Sequence, residues 1–194
     1  MTANSPSVSY LEMPFPALLG FAVSLLSYIL SQLDFLRPPL LLTGIVLISG
    51  AVVQLIYGIH SRQNGHKRNA AILLPFGIFW LSLVGYQVFP GLGIGRHPGA
   101  VTMFSFMSLW GIFAAILFLS SFRSNTIVQV FFGALMASLL SLSMYQLRDH
   151  QVFLILGCFF GILSSLSAVY IALAQAFIQR LQRSSEYVIE EIGN

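Results

Sequence analysis

The sequence predicts an all-α membrane protein of six transmembrane helices, and three observations lead there. Six apolar stretches, Phe15–Leu33, Pro39–His60, Ala70–Phe89, Val101–Phe122, Thr126–Gln146 and Val152–Phe177, are each about twenty residues long, roughly what a helix rising 1.5 Å per residue needs to cross a ~30 Å hydrocarbon core. All nine Lys and Arg and all six Asp and Glu fall outside these stretches. The composition is 57% hydrophobic and only 8% charged, against roughly 25% charged for a soluble domain, whose helices keep a charged outer face. With 194 residues and six spans, the rest of the chain is connectors and tails.

The first span opens on Met13-Pro14-Phe15-Pro16. Proline suits a first helical turn, where its missing N–H costs nothing. The free N–H groups and positive dipole end of such a turn favour a carboxylate; a plain helix start at the membrane surface is the simpler reading. The second span sets Gly50, Gln54 and Gly58 in line. A glutamine at that depth needs either an interhelical hydrogen bond or water from a pore, and the sequence leaves both open.

The third span carries Pro75 and Gly77 just before Phe79-Trp80, a pattern that predicts a kink and a helix lining a cavity. The fifth repeats small residues at Gly133, Ala137 and Ser141, and the sixth at Gly157, Gly161 and Ser165 and again at Ser164, Ala168 and Ala172. In lipid such stripes let backbones approach closely, here within the protomer or between protomers. Gln129 and Gln175 sit nearer the ends of their spans. After Phe177 the sequence turns polar, predicting a brief helical extension that then frays.

Short connectors make successive helices antiparallel. One side receives both termini and Arg62, Lys67, Arg68, Arg123, Arg180 and Arg183; the other receives Arg37, Arg96 and Arg148. The positive-inside bias places both termini in the cytoplasm of a multi-pass plasma-membrane protein. The division is a cytoplasmic segment 1–14, a membrane domain 15–177 and a cytoplasmic tail 178–194. No basic run before the first apolar stretch marks a cleaved signal peptide.

Several chemistries find no support. The scattered basic residues suit no nucleic acid. The Gly91–Gly95 glycines follow no strand and read as a turn, not a dinucleotide loop. The four histidines lack metal-ligand spacing, and no span sets a serine beside a base for hydrolysis. A transporter without metal or cofactor fits better than an enzyme. Because no acidic or basic residue lies within the spans, a narrow apolar conduit for a small solute also fits better than an ion pump.

Particular strings then resemble a known family. They are Gly50-x-x-x-Gln54-x-x-x-Gly58, then Phe76-Gly77-Ile78-Phe79-Trp80 closed by Pro90, Leu109-Trp110-Gly111-Ile112-Phe113, and Ser167-Ala168-Val169-Tyr170-Ile171-Ala172. At this mutual spacing they resemble the acetate uptake transporter family of bacterial succinate–acetate permeases and yeast ammonia/acetate export-type proteins. The resemblance covers about Pro14 to Phe177. It implies six helices around a central pore in each protomer, a homo-hexamer, and proton-linked passage of acetate and sometimes succinate.

It also implies a constriction at Phe21, Phe76 and Leu135, with Pro14, Pro16, Gln54, Phe79, Trp80, Tyr170 and Gln175 along the substrate path. The chain departs from the family in places. Its opening lacks the Asn and Leu-Gly of Asn-Pro-x-Pro-Leu-Gly, Phe76 replaces the usual Tyr, and Gln175 replaces a frequent Glu. These departures make the path drier and less proton-responsive. A channel for urea, short amides or ammonia, or a membrane scaffold without transport, is the alternative.

Overall fold

A computed structural model of the chain describes residues 13–33 and 38–192, with side chains described through Ile178 and at Arg180. The N-terminal residues before Met13, the connector bearing Asp34 and Arg37, and the Arg183 side chain lie outside the described residues. Helix α1 spans Phe15–Ser31, α2 Leu40–Gln63 and α3 Lys67–Leu83; a π-helical segment Val84–Val88 and the short α4, Phe89–Gly91, continue α3. Helix α5 spans Ala100–Ser120, α6 Thr126–Arg148 and α7 Gln151–Ile192. Five spans of 23 to 28 residues have mean hydropathies from 1.8 to 2.3, and α1 is a shorter apolar helix of 17 residues. This is a multi-pass, all-α membrane protein.

Two element boundaries depart from expectation for local reasons. The second and third spans are joined only by Asn64–His66, because α2 runs on to Gln63 and α3 begins at Lys67. Polar residues continue both helices into water, and Gly65, at φ 81°, reverses the chain in the left-handed conformation that glycine adopts without strain. The tail expected to fray instead extends α7 to Ile192, for 42 residues in all. No Gly or Pro lies between Phe177 and Ile192, so nothing in that stretch stops a helix already nucleated in the membrane.

The helices form a ring. Helix α1 packs between α2 and α7, α2 against α3, α7 against α6, and α6 against α5. Close approach comes from glycines: Gly50 faces Gly20 and Ser24 of α1, Gly77 faces Ala51 and Leu55 of α2, Gly111 receives Leu140, Gly157 receives Leu142, and Gly161 receives Ile29. The small-residue stripe of the sixth span, and Gly133 of the fifth, which meets Phe118, therefore serve contacts inside the protomer. Serines add hydrogen bonds across those contacts: Ser138 donates to the Gly157 carbonyl at 2.7 Å, Ser165 to Ala22 at 2.7 Å and Ser164 to Phe131 at 3.1 Å. Between α3 and α5 the ring closes through large aromatic side chains instead. Phe79 stacks on Phe106 with centroids 5.7 Å apart, and Phe76 meets Phe113 at 5.5 Å. Ile45, Ile48, Val52 and Ile56 on α2, Leu109, Ile112 and Ile116 on α5, and Phe159, Leu166 and Leu173 on α7 face outward, as a lipid-contacting surface requires.

Candidate functional site: an aromatic closure beneath a polar vestibule

The axis of the ring is filled by aromatic rings from three helices. Phe21 of α1 meets Phe76 of α3 edge-to-face, with centroids 5.0 Å apart and planes at 85°. It meets Phe131 of α6 at 5.3 Å and Trp80 of α3 at 5.6 Å in the same manner. Phe76, Phe79, Trp80, Phe131 and Leu135 are all buried, with Leu135 one turn beyond Phe131 on the same face of α6. Edge-to-face pairs of this kind add roughly 0.5–1.5 kcal/mol each beyond the area they bury. The closure is tightly packed.

On the side away from the termini, a cavity of about 520 Å³ opens above this closure. It draws residues from the ends of five spans: Ser31 and Gln32 of α1, Thr43 of α2, Tyr86 and Gln87 of the π segment, Met103 of α5, and Tyr145 and Gln146 of α6, with His97 from the connector. Among the described residues, no Asp, Glu, Lys or Arg lines it. The π segment matters here because its extra residue per turn re-aims Tyr86 and Gln87 relative to a continuing α-helix. Gln87 reaches the hydroxyl of the buried Tyr28, which also points at the Met107 sulfur, 4.0 Å away. The vestibule floor is thus tied to both α1 and α5.

Beside the closure lie polar atoms without partners. Gln54 is 0% exposed, and neither its Oε1 nor its Nε2 has a hydrogen-bond partner; the same holds for Ser24 Oγ and Trp80 Nε1. In the vestibule floor Thr43 Oγ1 is also unpartnered. A buried amide without a hydrogen bond costs roughly 1–3 kcal/mol by mutational measures. Of the two readings open for Gln54 in the sequence, the interhelical hydrogen bond is absent.

A sequence profile of the GPR1/FUN34/yaaH family matches residues 7–189 of this chain. The chain belongs to the GPR1/FUN34/yaaH family. Among its relatives, the succinate-acetate/proton symporter SatP of Escherichia coli K12 is 21% identical over 167 residues, covering 86% of this chain and 89% of the relative. An uncharacterized protein of Methanothermobacter thermautotrophicus is 22% identical over 165 residues, covering 81% of each chain. The solved structure of the bacterial acetate channel SatP superposes with a TM-score of 0.80 at 22% identity, covering 88% of this chain and 94% of that one. The six-helix ring is therefore the fold of a known channel.

Within this GPR1/FUN34/yaaH chain, the expected site residues separate into groups. Phe21, Phe76, Phe79, Trp80, Leu135 and Gln54 all lie in the buried interior. Gln175 lies on the buried face of α7 with Ala168, Ile171 and Ala172. Tyr170 does not join them: it is 61% exposed and lines an outer groove with Ile127, Val130 and Phe177. At about 100° per residue, Tyr170 falls on the side of α7 opposite Ala168 and Ala172, so its place on a substrate path is corrected to the outer surface.

The opening prolines also differ from expectation. Pro14 caps α1, Pro16 is exposed and has no N–H to give, and the N–H groups of Ala17 and Leu18 already bond the Pro14 carbonyl. The helix mouth keeps few of the donors a carboxylate would need. Phe131 was missed in the sequence, although it stands four residues before Leu135 and so on the same helix face. The vestibule residues Thr43, Tyr86, Gln87, His97 and Tyr145 were missed as well, since only the π segment and the convergence of five helix ends assemble them.

Proposed function

We propose that this chain carries small carboxylates, acetate-sized monocarboxylates first, with the dicarboxylate succinate as an upper limit, along the axis of each protomer. The observation that carries this reading is family membership over nearly the whole chain, with a succinate-acetate/proton symporter among the relatives. The geometry supports it: substrate collects in the uncharged vestibule, and the cluster of Phe21, Phe76, Phe131 and Leu135 is the gate. Pro14 and Pro16 start the helix that bears Phe21, while Phe79 and Trp80 back the gate. Gln54 supplies a polar contact beside the gate, and Gln175 lies on the inward face of α7 toward the cytoplasmic end.

Apolar constrictions of this kind gate by wetting, so passage requires the rings to part. No catalytic step, metal or cofactor enters the mechanism. The asymmetry of Lys and Arg supports cytoplasmic termini in the plasma membrane, and the resemblance supports a homo-oligomer, a hexamer. The uncharged lining among the described residues favours one second reading, passage of urea, a short amide or ammonia.

Labelled acetate and labelled urea offered to reconstituted vesicles at two external pH values separate the two. Acetate uptake above that of empty vesicles, larger than urea uptake, is the expected result. Urea uptake without acetate uptake selects the second reading, and neither flux selects a protein with no transport of its own.

A further inference from the structure

We propose that the outer crevice between α6 and α7 binds an anionic phospholipid, with an acyl chain lying in the crevice and the phosphate held at its mouth by guanidinium groups. The site is separate from the axial path and holds whatever the transported solute is. Two recesses make up the crevice. One, of about 570 Å³, lies between the start of α6 and residues 170–178 of α7. The other, of about 340 Å³, runs on along α6 to Gly133 and Ala134, walled by Phe118 of α5 and by Phe160 and Leu163 of α7. Thr126 and Val130 belong to both. Small residues set α6 back here: Gly133 lets the Phe118 ring lie against the helix, where a methyl group would stand 3.0 Å from it. From Asn125 to Ala134 the crevice follows nine residue rises, about 14 Å at 1.5 Å each and so roughly half of a ~30 Å hydrocarbon core. That is the depth of one leaflet.

The mouth of the crevice is basic. Arg123 stands two residues before Asn125 and Arg180 two residues after Ile178, and both are exposed. Arg68 reaches the same turn from α3, its Nη2 donating to Ser124 Oγ at 3.3 Å, which leaves its other guanidinium N–H groups for a further acceptor. Gln129 Nε2 donates to the Phe122 and Ser124 carbonyls at 3.4 and 3.1 Å, pinning the turn that presents Arg123. Among the described residues the one acidic side chain is Asp149, at the far end of α6. Three guanidinium groups above an apolar crevice one leaflet deep complement an amphiphile with a phosphate head and a hydrocarbon chain. The proposed orientation turns this mouth to the cytoplasmic leaflet, where anionic lipids concentrate. A helix of a second copy could fill the crevice but would leave the three positive charges unanswered.

The test offers the full-length protein, delipidated in detergent, dioleoyl phosphatidylglycerol or dioleoyl phosphatidylcholine, with soluble glycerol phosphate as a third arm. Native mass spectrometry counts the lipid retained per protomer, and thermal unfolding is followed alongside. Phosphatidylglycerol retained in preference to phosphatidylcholine, with a raised melting temperature and no effect of glycerol phosphate, is the expected result. Equal retention of the two lipids overturns the proposal. An equal rise in melting temperature with glycerol phosphate assigns the mouth to a free phosphate and overturns it too.

Two variants place the lipid. Arg123→Gln with Arg180→Gln changes only exposed side chains, and should lower phosphatidylglycerol retention about tenfold, because each cation near the headgroup contributes a several-fold factor. The melting temperature of the lipid-free protein should not change. Val130→Trp, which fills the wall common to both recesses, should abolish retention with all three cations still in place. Retention unchanged in both variants puts the lipid elsewhere and overturns the proposal. Loss of an oligomer in Val130→Trp, with a wild-type oligomer mass that does not depend on lipid, assigns the crevice to a second copy and overturns it as well.

Discussion

Phe21 and Phe76 meet edge-to-face at 5.0 Å, from helices that barely touch through their backbones. The contact exists because α2 sits between α1 and α3 and holds them apart by the width of two aromatic side chains. The closure is therefore made by side chains and not by backbone contact. In the proposed gate, rotamer changes at Phe21, Phe76 and Phe131 would part the rings at the cost of their edge-to-face contacts.

Shortening the closure should widen it. Leu135→Ala and Phe76→Leu are expected to raise uptake of three- and four-carbon acids relative to acetate in reconstituted vesicles. Leu135→Ala should also cost roughly 2–5 kcal/mol of stability, since a buried leucine leaves a cavity. An unchanged acid-chain preference in both variants would remove Leu135 and Phe76 from the gate.

The α1–α2 contact tolerates no side chain at Gly50. A methyl group there would overlap the Ser24 hydroxyl and stand 2.8 Å from the Gly20 carbonyl oxygen, which cannot move alone. Gly50→Ala should lower the melting temperature in detergent, as overpacking costs roughly 1–3 kcal/mol. Gly85→Ala meets nothing within 4 Å and should leave the melting temperature unchanged or raise it slightly. Equal behaviour of the two would contradict the packing.

Ser138 and Ser165 clip α7 to α6 and α1 through 2.7 Å bonds to backbone carbonyls. Ser138→Ala and Ser165→Ala should each cost about 0.5–1.5 kcal/mol, the net worth of a single hydrogen bond. Their effects should add in the double variant, because each clips α7 to a different helix. Thermal unfolding of the single and double variants checks this.

Water should reach the vestibule and stop at the rings. In a background with the buried Cys158 replaced by Ala, Gln87→Cys is expected to react with a membrane-impermeant thiol reagent added outside whole cells. Phe131→Cys should not react while the gate is closed, and Tyr170→Ala should leave uptake unchanged because Tyr170 faces outward. Labelling of Gln87→Cys only in inverted vesicles would reverse the proposed orientation.

Six spans were legible because a helix in lipid must satisfy its own backbone, a local property that length and freedom from charge report directly. Phe21, Phe76 and Leu135, which the structure buries in the interior, stood out only through their resemblance to family positions, since apolar residues surround each of them in the sequence. The inward face of each helix was harder to read. In a soluble protein one side of a helix is polar and marks the outside, but here the lipid side and the protein side are both apolar. Tyr170 and Ala168 are thus indistinguishable by hydropathy pattern, and so are Phe131 and its neighbours.

By itself, then, the sequence determined the number and antiparallel order of the membrane helices, because charge and hydrophobic length act residue by residue. Only the tertiary structure decided which side chains meet on the axis. That choice rests on where glycines let neighbouring helices approach and on the extra residue in the turn at Val84–Val88. It left the Gln54 amide buried beside the gate without a partner, because hydrogen-bond satisfaction at that depth depends on three helices at once.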